Sequence, residues 1–240
     1  MNPSKRAAVA GVVSVGILFL CAARVMAASH LWRINEIMSS ADGTIQFIEL
    51  KECCGALNET FIGGKHVTSD ATGHSFTIPA NLPCTNCTAN KYLLFATSAF
   101  AALPGAPTPD FVIPAGFFGI NGDTLRYAPE FNYDLFPFGA GTLPTDGKNS
   151  IQVTNPTTDT FITGLNSPTN FAGQTGVVCF APPTGDMNGD NALDGLDIDR
   201  FVDAMLGPAT SMEICTGDFD GDRGLDMDDV SGMVSALLAP

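Results

Sequence analysis

The sequence predicts a mainly β N-terminal domain followed by a small all-α domain built on a duplicated acidic loop. Two observations predict this. The last stretch of the chain contains one short text twice, each copy followed by an apolar stripe at helical spacing. The larger part before it shows short apolar runs, rich in β-branched and aromatic residues, broken by Gly, Pro, Asn and Asp at turn spacing. A third observation, the cysteines that follow an export-like leader, bears on where the chain works.

The duplicated text reads Gly185-Asp186-Met187-Asn188-Gly189-Asp190-Asn191-Ala192-Leu193-Asp194-Gly195-Leu196-Asp197 and Gly217-Asp218-Phe219-Asp220-Gly221-Asp222-Arg223-Gly224-Leu225-Asp226-Met227-Asp228-Asp229. Counted from the first aspartate, acidic or amide oxygens fall at positions 1, 3, 5, 9 and 12 of both copies. This is the ligand spacing of an EF-hand calcium loop. Ca²⁺ takes roughly six to eight oxygens, and alternate residues of a curled loop can aim at one centre. Asp186, Asn188 and Asp190 supply the first three ligands, Ala192 a backbone carbonyl, and Asp194 a direct or water-mediated contact. Asp197 closes the cage from the following helix. The same roles fall to Asp218, Asp220, Asp222, Gly224, Asp226 and Asp229. Two Ca²⁺ sites are therefore expected, loose when empty because their carboxylates repel.

Ile198, Phe201, Val202, Met205 and Leu206 make one inward stripe, and Val230, Met233, Val234, Leu237 and Leu238 make the other. Gly207-Pro208 ends the first helix and Ala239-Pro240 the second. Leu193 and Leu225, at position 8, are placed to pair the loops as a short antiparallel bridge. No helical stripe precedes either loop, so the expected unit is loop–helix, twice.

This pattern resembles the type I dockerin, a duplicated calcium-binding module of secreted bacterial proteins. The resemblance covers the last quarter of the chain, residues 185–240. It implies folding on calcium and attachment to a cohesin-like domain of another extracellular protein. The chain departs from the pattern at position 6, where Asn191 and Arg223 replace the usual Gly. It departs also at the recognition positions 10 and 11, which hold Gly195-Leu196 and Met227-Asp228. With the stripes inward, Gly195, Leu196, Asp199 and Arg200 are left available on one copy, and Met227, Asp228, Ser231 and Gly232 on the other. Leu196, Arg200, Met227 and Asp228 are the candidate partner-binding residues.

Met1–Ala27 reads as a secretory signal peptide, with Lys5 and Arg6 before the apolar run Ala7–Leu20 and Val25-Met26-Ala27 at the cleavage point. An uncleaved anchor is the alternative. The chain's formal charge of −14 falls mostly on the aspartates of the last quarter, which argues against nucleic acid and anionic membranes as partners. Export leaves Cys53, Cys54, Cys84, Cys87, Cys179 and Cys215 as candidate disulfide cysteines. Two bridges linking the 53/54 pair to the 84/87 pair are expected, with a four-thiolate zinc site as the alternative. A Cys179–Cys215 bridge would tie the start of the C-terminal domain to its middle.

For residues 29–172 the strand candidates are Leu31–Met38, Thr44–Lys51, Ser75–Ile78, Lys91–Thr97, Phe111–Ile113, Asp123–Tyr127, Ser150–Val153 and Phe161–Thr163. Many short strands at this spacing suggest an antiparallel β-sandwich. Ile45 and Phe47 share one face of their run while Ile48 and Leu50 take the other, so the strand is covered on both sides or bulged. The segments Ile34-Asn35-Glu36-Ile37, Gln46-Phe47-Ile48-Glu49-Leu50, Ile62-Gly63-Gly64, Phe76-Thr77-Ile78-Pro79, Tyr92–Ala96 and Asn121–Leu125 together resemble the lamin-tail domain family. That family's fold is an immunoglobulin-like sandwich, and the resemblance implies a scaffold or adhesion role without fixed chemistry. Residues 173–184 read as a linker.

No catalytic residues are expected. His30, His66 and His74 show no metal spacing, and no serine sits in a Gly-x-Ser-x-Gly turn. Glu36 and Glu49 could be proposed as a glycosidase pair, as any two strand glutamates could. Trp32, Tyr92, Tyr127 and Tyr133 are candidates for a sugar platform, although aromatics of a β-domain more often fill its core. The expectation is a secreted, non-enzymatic calcium-binding protein that attaches its β-domain to an extracellular partner. The alternatives are a carbohydrate-binding or adhesive module with a calcium-stabilised tail, and a hydrolase.

Overall fold

The computed structural model describes residues 29–180, 183–190, 192–222 and 224–239. The leader read at 1–27 and the position-6 residues Asn191 and Arg223 lie outside them. The described chain is mainly β. In order come β1 (Trp32–Ser39), β2 (Gln46–Glu52), β3 (His66–Ser69), β4 (Ser75–Thr77), β5 (Tyr92–Thr97), α1 (Ser98–Ala101), β6 (Phe111–Ile113), β7 (Asp123–Tyr127), β8 (Asp134–Phe138), β9 (Asn149–Asn155) and β10 (Thr160–Leu165). Then follow α2 (Gly195–Leu206), α3 (Ser211–Gly217) and α4 (Val230–Leu237).

The strands form two sheets. One has the order β10-β9-β1-β2-β5-β6 and the other β4-β3-β7-β8. Pairing is antiparallel except between β5 and β6, which run parallel. A connection of α1 and the Pro-rich stretch after it returns the chain to the same end of the sheet, which a tight hairpin does not do. The sequence missed β3 and β8. β3 carries His66, Thr68 and Ser69 and has one clearly apolar residue, Val67. β8 contains Pro137, tolerated because β8 is the edge of its sheet.

Both sheets contribute to one apolar core. Trp32, Ile34, Ile37, Ile48, Leu50 and Phe95 from the first meet Val67, Leu125, Tyr127 and Phe136 from the second. The first sheet is covered on its other face as well, where Met38, Phe47, Leu94 and Ala96 pack against Phe100 and Val178. Opposite faces of β2 thus serve two cores, the reason its sequence does not alternate. β1 carries a bulge between Ile34 and Glu36.

The second cover includes residues that read as linker. Gly176 N–H donates to the Pro168 carbonyl (3.2 Å) and Phe180 N–H to the Gly147 carbonyl (3.1 Å). Asn166 holds Val178 from both ends of its amide. Two buried glutamates, opposite each other in β1 and β2, hold the preceding turn. Glu36 accepts from Ser167 N–H (2.8 Å) and Ser150 Oγ (2.6 Å). Glu49 accepts from Thr169 N–H (2.6 Å) and Asn35 Nδ2 (2.6 Å). Burial pushes both pKa values up, and the charge of Glu36 adds to the rise at Glu49, which reaches about 8. Residues 166–180 therefore belong to the sheet's outer cover.

Behind this segment, Met187, Phe201, Ala204, Leu225 and Met233 form a separate small cluster. α2 and α4 follow the two duplicated loops, and α2 ends at Leu206 before Gly207, as its breaker implied. α3 corrects the loop–helix expectation: a helix does precede the second loop and runs straight into it, with Asp218 N–H bonded to the Ile214 carbonyl. Thr210 and Glu213 start α3 with a reciprocal capping box, visible in the sequence as Thr-x-x-Glu. α3 is short and interleaves Glu213, Cys215 and Thr216 with its apolar residues, so it leaves no apolar stripe to detect.

Candidate metal centre

The two duplicated loops share the same carboxylate-to-backbone bonds. Asp186 Oδ1 accepts from Gly189 N–H (2.8 Å) and Asp190 N–H (3.2 Å), and Asp218 Oδ1 accepts from Gly221 N–H (2.7 Å) and Asp222 N–H (3.1 Å). Asn188 and Asp220 each take the N–H two residues on, as do Asp190 and Asp222, and Asp194 and Asp226. These side chains curl the backbone by the local turn chemistry of Asp and Asn. Gly189 and Gly221, at position 4, hold φ of 79° and 80°, a region a Cβ disfavours. Position 4 needs this backbone, and the sequence supplies Gly there in both copies.

The position-12 aspartates do more than the sequence suggests. Asp197 and Asp229 are fully buried. Oδ1 of Asp197 accepts from Met187 and Asn188 N–H (2.8 and 3.1 Å) and Oδ2 from Asp194 N–H (2.9 Å). Asp229 repeats this with Phe219, Asp220 and Asp226 (2.7, 3.1 and 3.0 Å). A carboxylate offers about four lone-pair directions. Three are taken by the loop's own backbone, which leaves room for a single bond to a metal rather than a bidentate one.

In the second loop, carboxylate oxygens of Asp218, Asp220 and Asp222 all lie within 4.8 Å of one another. The N–H of Asp222 pulls the pKa of Asp220 down, yet desolvation and the charges of Asp222 and Asp229 together hold it above its ordinary value. Hard oxygen ligands from three carboxylates suit a hard divalent cation. In the first loop the middle position is an amide, and Asn188 Nδ2 donates to Asp190 Oδ2 (3.1 Å). Among the described residues, the second loop's carboxylates are the ones gathered in this way, and the first loop carries one carboxylate fewer at the ligand positions. Glu52, Cys53 and Cys54 also come together, but the two sulfurs are bonded to each other and offer no thiolate.

Leu193 and Leu225 do not form the expected bridge; among the described residues the isolated bridge is Thr169–Thr175. Both leucines instead join the small apolar cluster. Each packs over the glycine that opens its own loop: a Cβ on Gly185 would lie 2.9 Å from Leu193, and one on Gly217 2.7 Å from Leu225. This accounts for Gly before the first aspartate of each copy, a signal present in the repeat.

The candidate partner residues lie at the surface. Leu196 is 64% and Met227 73% exposed, while Arg200 reaches toward Glu213 (3.8 Å) and Asp228 is exposed. Gly232 is covered by Phe219, so it is not available as expected. The helical stripes also need correction. Phe201, Ala204 and Met205 fill the cluster from α2, whereas Ile198, Val202 and Leu206 stand outside it. Val234 of α4 and Leu238, just past its end, also stand outside it and correspond to Val202 and Leu206 at the repeat offset. The core is too small to take the whole stripe of either helix.

The cysteines pair as Cys53–Cys54, Cys84–Cys87 and Cys179–Cys215. The expected cross-links between the first two pairs are not made. The turn at 84–88 is bonded a few residues further along, with Thr88 N–H on the Leu57 carbonyl (3.3 Å) and Thr88 Oγ1 on that of Ala56 (2.7 Å). Three disulfides suggest an extracellular environment. No described helix is long and apolar enough to cross a membrane.

Glu36 and Glu49 are spent on the buried anchor described above. His30 lies near Glu59 (3.5 Å), His66 near Glu130 (3.3 Å), and His74 against the Gly116 and Phe117 carbonyls (3.1 and 3.2 Å). Trp32 and Tyr127 are fully buried in the core, whereas Tyr92 and Tyr133 keep partial exposure. A comparison with protein families, with curated proteins and with solved structures finds no match to this chain.

Proposed function

We propose that this is a secreted, non-enzymatic protein whose residues 185–240 form a dockerin-like, EF-hand-related domain. That domain binds two Ca²⁺ ions and attaches an immunoglobulin-like, lamin-tail-like β-sandwich to an extracellular protein of cohesin-like type. The observation that carries the reading is the duplicated loop geometry: two copies with the same carboxylate-to-backbone bonds, the second gathering three carboxylates. Such a gathering is costly without a cation, because like charges at this range repel. The ligands are Asp186, Asn188, Asp190, Ala192, Asp194 and Asp197 in one site. They are Asp218, Asp220, Asp222, Gly224, Asp226 and Asp229 in the other.

Attachment is supported by the apolar side chains that the small core leaves outside. Leu196, Ile198, Val202 and Leu206 on one copy, and Met227, Val234 and Leu238 on the other, give two related apolar surfaces. Large exposed side chains of this kind act as anchors in interfaces.

Calorimetric titration of the mature chain with calcium tests the metal assignment. Two binding events are expected, and Asp218→Ala with Asp220→Ala should remove one. A chain that takes up no calcium at millimolar concentration overturns the reading.

A further inference from the structure

The loops at one end of the β-region frame a polar cleft that the calcium reading does not use. Its walls are Arg33, Asn132, Tyr133, Asp134, Thr157 and Asp159, around a volume of about 290 Å³. A second cavity of about 140 Å³, which includes Lys51 and Cys53, adjoins it across Arg33 and Pro156. Together they make a groove rather than a closed pocket.

Three observations say what would fit. The first is an aromatic surface beside polar groups. Phe131 stacks on Tyr133 (centroids 5.2 Å apart, 24° between planes) and is 53% exposed, with Lys65 Nζ 4.0 Å from its ring centre. The second is pre-organisation. Arg33 Nη1 donates to the His30 and Trp32 carbonyls (2.7 and 2.9 Å), and its Nε lies 3.6 Å from Asp134. Asp134 in turn accepts from Ile34 N–H (2.7 Å), across 100 residues of chain. The third is the backbone. Ala128 (φ 48°), Asn132 (54°) and Asp159 (52°) are three of the five described non-glycine residues in the left-handed region, and all lie on the two loops that bound the cleft. Such strain collects at binding sites held by a rigid scaffold. It costs least for Asn and Asp and most for Ala.

We propose that this groove is a binding site for a neutral oligosaccharide. A sugar ring has an apolar face that packs on an aromatic ring and an edge of hydroxyls that both donate and accept. The cleft offers each: the Tyr133 side chain with Phe131 behind it, a guanidinium fixed by Asp134, the Asn132 amide and the Asp159 carboxylate. Arg33 and Lys51 stand against Asp134 and Asp159 along the groove, so their charges largely balance and favour a ligand without net charge. The pair of adjoining cavities suits a chain of sugar units more than a single one. The proposal goes beyond the attachment role and gives the attached β-region a cargo or surface to hold.

The test uses the full mature chain and calorimetric titration with cellotetraose, mannotetraose and N-acetylchitotetraose, each in calcium and in chelator. Binding of at least one with a Kd below about 1 mM is expected, unchanged by chelator. Tyr133→Ala and Asp159→Asn should each weaken it about tenfold or more. Asn tolerates the left-handed backbone at 159, so the second variant keeps the fold if the first does not. Leu196→Asp with Met227→Asp should leave sugar binding intact, which separates this site from the attachment surface. No binding by any of the three sugars overturns the proposal. So does binding that both cleft variants retain in full, or binding lost in chelator.

Discussion

The first core of the β-region gathers twenty buried apolar residues from two sheets, with Trp32, Phe95, Phe117 and Phe136 among the largest. The cluster under the duplicated loops has five buried residues: Met187, Phe201, Ala204, Leu225 and Met233. Hydrophobic burial alone can hold the first region together. The second is in the range where small domains need metals or disulfides as staples. It is tied to the sheet's outer cover by one disulfide, Cys179–Cys215, and its second loop gathers acidic groups that suit a cation. On the proposed reading, the contrast is one of where the folding energy resides, in area for one region and in coordination and cross-links for the other.

The sharpest way to break this contrast is to withdraw the proposed metal. Chelation is expected to abolish the helical signal of α2 and α4 while leaving the β-signal, as read by circular dichroism. Calcium at a hundredfold excess over its dissociation constant should restore about 2.7 kcal/mol per site. Asp197→Ala with Asp229→Ala should mimic chelation, because these side chains also hold three backbone N–H groups each. Loss of β-signal with the metal would erase the distinction between the regions.

The next effect belongs to the larger core. Phe95→Ala should destabilise the β-region by about 3–5 kcal/mol, by lost burial and the cavity left behind. Denaturant unfolding checks it, and calcium affinity should not change. Replacing Cys179 and Cys215 with serine tests the staple. The chain-entropy relation for a loop of 36 residues gives about 4 kcal/mol at most, felt mainly by the C-terminal region.

A smaller, pH-dependent effect tests the buried glutamates. The folded state keeps a proton on Glu49 up to about pH 8, whereas the unfolded chain releases it near 4.5. Stability therefore falls as pH rises across that window, by up to about 1.4 kcal/mol per unit. Glu49→Gln should remove this slope, gaining on the parent protein as pH rises and levelling off above pH 8. Asn35 can turn its amide to accept the new donor. Melting temperatures from pH 5 to 9 measure it, and an unchanged slope would show that the carboxyl ionises freely.

The smallest effect on stability, and the largest on attachment, is expected at the exposed apolar positions. Leu196→Asp with Met227→Asp should shift stability by no more than about 0.5 kcal/mol, as surface changes do. The same double variant should remove capture of a cohesin-like partner. A chain that fails to fold in calcium would instead make both residues core.

By itself, the sequence determined whatever is local. The loops at 186–197 and 218–229 are legible because the side chains at positions 1, 3, 5 and 9 act on the backbone within four residues, so spacing alone encodes the turn; only Asp197 and Asp229 reach back further. The ends of α2 and most strands are likewise written in nearby Gly, Pro, Asp and β-branched residues. What the tertiary structure decided is what depends on residues brought from afar. β3 and β8 form because sheet partners satisfy their backbone, against a weak local pattern. Cys53 and Cys84 find their own neighbours because the 84–88 turn is bonded to residues 56–59. Leu206 and Leu238 point outward because only a partner element can offer a helix face something to bury against, and the five-residue cluster is already full. Residues 173–180 read as a linker, yet they are fixed by Asn166 and by the sheet's outer face. Two glutamates more than a hundred residues upstream hold the turn just before them, and no window along the chain contains both sides of that contact.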